Sequence, residues 1–84
     1  MFILVFAALA LIRKDCKQHK SAEVFAKVLE DPKFGDFFSP GNTNDFAKFN
    51  QAMMSLFTAE NGDEKSVLGI KVVKRRPITW QYQG

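Results

Sequence analysis

The opening of the chain constrains its fold more than any other segment. Phe2 to Ile12 reads FILVFAALALI, with no charge, and four cations follow closely at Arg13, Lys14, Lys17 and Lys20, opposed only by Asp15. With every position apolar, the run carries neither a helical stripe nor a period-two alternation. As a helix it rises about 16 Å at 1.5 Å per residue, against a bilayer hydrocarbon core of about 30 Å. It is therefore too short for a straight membrane span, and suits an interfacial segment, a core helix or the apolar part of an export signal.

Two of these readings have sequence detail behind them. The triplet Ala8-Leu9-Ala10 is a small-x-small pattern that a signal peptidase could cut, but no cation precedes the apolar run as an export signal would have it. The basic flank fits an anchor better. Arg13, Lys14, Lys17 and Lys20 suit anionic lipid headgroups, and long cationic side chains snorkel toward them. The expectation is thus a membrane-associated helix whose apolar residues Phe2, Ile3, Leu4, Val5, Phe6, Leu9, Leu11 and Ile12 face lipid. The alternatives are a soluble core helix and a cleaved, secreted form.

Eighty-four residues make a single small domain with a marginal core. Cys16 is the one cysteine, so no intrachain disulfide reinforces that core, and a cysteine-stapled scaffold is excluded. Phenylalanine occurs nine times. These rings have no polar handle, and a core, a lipid phase or a partner must cover them. A net charge of +3 describes two local basic patches, at residues 13–20 and 71–76, rather than a strongly basic protein.

Beyond the flank, Ser21 is placed to cap a second helix, with Glu23 in its first turn and Ala22, Phe25, Val28 and Leu29 on one face. Pro32 should end that helix at Asp31. KFGDFFSPGNTN reads as a loop carrying Phe34, Phe37 and Phe38, three rings that fold back on the core or meet a partner. A third helix starts at Thr43 or Asn44. Its stripe of Phe46, Phe49, Met53, Leu56 and Phe57 is a core face, and Asn61-Gly62 is its expected stop. Two strand-like runs close the chain. Leu68, Ile70 and Val72 share one face of the first, Ile78, Trp80 and Tyr82 one face of the second, and Lys74-Arg75-Arg76-Pro77 forms the turn.

Little here suggests chemistry. Cys16 and His19 would lie side by side on a helix, yet two ligands fall short of a four-ligand metal site, and an incidental pair is the plainer reading. The NGDE turn lacks the ligand pattern of an EF-hand. No phosphate loop or nucleophile elbow is present. No enzyme activity, metal or cofactor is expected. The basic and aromatic mixture KVVKRRPITWQYQ contains the ingredients of nucleic-acid binding, although the low net charge and the alternation of Trp80 and Tyr82 favour a packed hairpin.

These features combine into one expectation. The chain is an α+β, mostly helical protein with an apolar N-terminal helix, two amphipathic helices and a C-terminal β-hairpin or extended arm. Residues 1–20 form the apolar helix with its basic flank, and residues 21–84 a small α+β domain. Functionally it reads as a non-catalytic accessory subunit of a membrane-associated complex. Larger subunits would meet it at Phe34, Phe37, Phe38, Lys74, Arg75, Arg76, Trp80 and Tyr82. A secreted binding or inhibitory module is the first alternative, and a small nucleic-acid-binding accessory protein the second.

Overall fold

The computed structural model describes residues 2–84, and Met1 lies outside the described residues. In chain order the elements are α1 (Phe2–Ile12), β1 (Gln18–Lys20), α2 (Ser21–Val28), α3 (Pro32–Gly35), α4 (Thr43–Leu56), β2 (Ile70–Arg75) and β3 (Ile78–Tyr82). The protein is α+β, with helices packed on a three-stranded antiparallel sheet of order β1-β3-β2. The C-terminal half of that sheet is the hairpin expected from the alternating apolar residues. No helix among the described residues is long and apolar enough to cross a membrane.

One cluster of buried side chains joins helices and sheet: Leu4, Val5, Ala8, Leu9 and Ile12 of α1, Val24, Phe25 and Val28 of α2, Phe49 and Met53 of α4, and Ile70 and Trp80 of the hairpin, with Leu29 and Phe57 beyond the helix ends. Phe25 sits between two α4 rings, 5.4 Å from Phe46 and 5.1 Å from Phe49 by centroid. These are spacings at which tilted aromatic pairs attract. The α4 stripe read from the sequence is its buried side, with Phe49, Met53 and Phe57 fully covered and Phe46 and Leu56 half-buried.

Several boundaries differ from the sequence reading, each for a local reason. Lys20, not Ser21, is the N-cap of α2. Ser21 is buried in the first turn, where its hydroxyl donates to the Asn50 side chain on α4, so its polar group ties two helices together instead of capping one. Pro32 opens α3 rather than merely closing α2. Asp31 caps this short helix by accepting from Lys33 N–H at 3.0 Å, and proline suits a first helical position because its missing N–H would be unpaired there anyway. A Cβ on Gly35 would lie 2.4 Å from the Leu29 carbonyl oxygen, so glycine lets α3 close against the end of α2.

Asn42 is the cap of α4, its side-chain oxygen accepting from the N–H groups of Asn44 and Asp45. That helix stops at Leu56, short of Asn61-Gly62, which instead form a separate turn with Gly62 at φ 89°. Leu68 belongs to a tight turn and not to a strand face. Val67 and Ile70 exchange both backbone hydrogen bonds across Leu68 and Gly69, whose φ values are 53° and 79°. The hairpin turn is Arg76-Pro77, joined by a cis peptide bond, with Lys74 and Arg75 still in β2.

Candidate functional site

A helix in a layered fold presents one side to the core, and on α1 the other side is also apolar. Leu4, Val5, Ala8, Leu9 and Ile12 fall on the inner side and are buried. Phe2, Ile3 and Phe6 fall on the outer side and stand 63%, 71% and 65% exposed. Leu11 is half-buried between the two. Four of the eight residues read as lipid-facing (Leu4, Val5, Leu9 and Ile12) therefore have their side chains in the core, and only Phe2, Ile3 and Phe6 are free to meet another surface.

The phenylalanines after α2 extend this outer side. Phe37 is 79% exposed, while Phe34 and Phe38 are half-buried against the core. With Ile3, Leu4 and Lys33 they line an open groove of about 520 Å³. A contiguous apolar surface of this kind on a small protein is a candidate for interaction, in contrast to scattered single exposed residues.

The basic flank follows α1 directly. Arg13, Lys14, Lys17 and Lys20 are all exposed. The Arg13 guanidinium lies 5.2 Å from the centroid of the Tyr82 ring, a cation–π distance that fastens the end of α1 to β3. Asp15 organises the chain between them. Its carboxylate is paired with His19 Nε2 at 2.7 Å and accepts from Lys17 N–H at 2.9 Å. The His19 hydrogen bond, then the Lys17 N–H, hold the Asp15 carboxyl below its usual pKa, because both stabilise the charged form. Cys16 and His19 do not share a helix face, since α1 ends at Ile12 and residues 18–20 are extended. The Cys16 carbonyl instead accepts from the Gln81 side chain.

At the turn end of the hairpin Lys74, Arg75 and Arg76 are exposed, Lys74 standing level with Lys20 across Thr79, and Arg75 Nε lies 3.5 Å from Glu64 Oε2. Trp80 is fully buried, its ring 6.2 Å from that of Phe57. It presents nothing for a partner or a base to stack on, contrary to its place among the expected partner-binding residues. Its Nε1 is a buried donor with no hydrogen-bond partner among the described residues. Tyr82 is half-buried under Arg13. The aromatics and the hairpin cations thus do not form one stacking surface.

In the NGDE turn, the Asn61 side chain donates from Nδ2 to Asp63 Oδ2 at 3.0 Å and accepts at Oδ1 from the Asp63 backbone N–H at 3.1 Å. Among the described residues no three His, Cys, Asp or Glu side chains gather as metal donors. Sequence reasoning missed β1, whose Gln18, His19 and Lys20 pair with Gln81, Trp80 and Thr79. No periodicity in QHK signals a strand, and its pairing with β3 alone creates it. No protein-family model, curated protein or solved structure matches this chain.

Proposed function

We propose that this protein is a small non-catalytic accessory subunit that lies on an anionic membrane surface through the outer side of α1, and offers its basic hairpin end to larger subunits of a complex. The observation that carries this reading is the joint exposure of Phe2, Ile3, Phe6 and Phe37 beside a basic flank. A helix with its inner side committed to the core lies in the interface instead of crossing it, its outer rings entering the boundary between headgroups and acyl chains.

The magnitudes suit reversible attachment. Covering a large apolar side chain completely is worth roughly 1.5–3 kcal/mol. Four side chains already partly covered then give a gross gain of roughly 5 kcal/mol, and each cation near anionic headgroups adds about 1 kcal/mol. The apolar part alone resembles the hold of a single myristoyl chain, about 10⁴ M⁻¹, and the basic flank adds the second signal that firmer attachment takes.

Flotation with phospholipid vesicles tests the reading. The full chain is expected to float with vesicles containing phosphatidylserine and less with pure phosphatidylcholine. Phe6→Asp, which alters an exposed position, is expected to weaken binding about tenfold or more without changing the circular dichroism spectrum. Absence of flotation, or full binding by Phe6→Asp, would overturn it.

A further inference from the structure

The groove between α1 and α3 has a composition that a flat membrane contact does not require. Leu4 forms part of its lining, with Ile3 and the rings of Phe34, Phe37 and Phe38, and Lys33 is the sole charged side chain among its lining residues. The volume of about 520 Å³ lies in the range of roughly 300–1,000 Å³ common to small-molecule sites.

Lys33 is free to act there. The ion pairs of the described residues are His19–Asp15 and Arg75–Glu64, so the Lys33 ammonium has no carboxylate partner. Asp31, two residues before it, is engaged in capping, its Oδ1 accepting from the Lys33 backbone N–H. An apolar trough with one unpaired cation complements a molecule that has a hydrocarbon chain and one negative head. It is a poor match for a cationic or doubly charged ligand, whose head would meet either repulsion or an unanswered charge.

From this we infer that the groove binds the hydrocarbon chain of a single-chain anionic amphiphile, a fatty carboxylate, with its head at Lys33. The site needs no bilayer and is thus separable from the membrane attachment proposed above, although it shares Ile3 and Phe37 with that surface. The chain lies against the three phenylalanine rings and Ile3, where its burial supplies most of the binding. The ammonium selects the sign of the head more than it adds affinity, because an exposed ion pair is weak.

The experiment is a titration of the full chain with dodecanoate kept below its micelle concentration, followed by two-dimensional NMR of the aromatic and methyl groups. Dodecyltrimethylammonium serves as the head-group control. Saturable single-site shifts confined to Ile3, Leu4, Phe34, Phe37 and Phe38 are expected, with dodecanoate preferred over the cationic control by about fivefold. Lys33→Glu, at an exposed position, is expected to reverse that preference, and Phe37→Ser to weaken both ligands. Equal binding of the two heads with no effect of Lys33→Glu would overturn the assignment. So would non-saturating shifts spread over Phe2 and Phe6, the mark of general adsorption to the outer side of α1. Vesicle binding without dodecanoate binding would sink the groove and spare the membrane reading, and the converse result would do the opposite.

Discussion

Single residues hold this small fold at points where the local sequence has no obvious signal. Asp15 is one. Its pKa is lowered in the folded state by the His19 hydrogen bond and the Lys17 N–H, so it contributes stability above the ordinary carboxyl value of 3.8 and loses that contribution as pH falls through the folded value. Asp15→Asn is therefore expected to be less stable than the natural chain near neutral pH, with the gap closing as the pH falls below 3.8 and the carboxyl protonates. Urea denaturation on both sides of that value checks this, and a constant gap would assign the effect to shape instead of charge. Leu68 is the other. Its φ of 53° is costly for a residue with a branched side chain, and its neighbour Gly69 also has positive φ, the requirement of the tight hairpin turns that favour Asn-Gly. With Leu68 59% exposed, Leu68→Asn forfeits little burial and is expected to raise stability by about 0.5–1 kcal/mol, read as a higher denaturation midpoint.

At the scale of elements, legibility followed contrast between polar and apolar positions. In α4 the stripe from Phe46 to Phe57 stands out against Asn44, Lys48, Gln51 and Ser55, so its buried side was readable, and Asp45 marked its first turn. In α1 no such contrast exists. FILVFAALALI has the same character on every side, and only packing against α2, α4 and β3 divides Leu4, Val5 and Leu9 from Phe2, Ile3 and Phe6. The hairpin was readable from alternation, but its partner β1 was not, because three polar residues acquire strand geometry only by pairing with β3. Of the two edge strands, β2 carries Lys71 and Lys74 and an irregular register between Val72 and Lys74. Charges and bulges of this kind discourage pairing with further strands.

For the whole molecule, the position of α1 bears directly on whether the chain works in cut form. Removing residues 1–10 would take Leu4, Val5, Ala8 and Leu9 out of the single core cluster. Losing each large apolar side chain from a core costs about 2–5 kcal/mol, and small domains have a total stability of only about 5–15 kcal/mol. A chain beginning at Leu11 is therefore expected to show no cooperative thermal unfolding and poorly dispersed NMR signals. A well-folded product of that length would instead make export and cleavage at Ala8-Leu9-Ala10 structurally admissible, and with it the secreted reading.

Local patterns in the sequence determined the helical character of the central segment, the C-terminal hairpin and the want of a disulfide framework. Each rests on interactions between residues close in the chain or on simple composition. Tertiary structure alone decided which side of α1 is free, that Trp80 is core while Tyr82 meets Arg13, and that Phe34, Phe37 and Phe38 line a groove together with Lys33. The physical reason is common to all three. Where neighbouring residues are equally apolar, or equally able to be buried or exposed, the sequence carries no local energy difference between the choices. Burial against distant parts of the chain then supplies it.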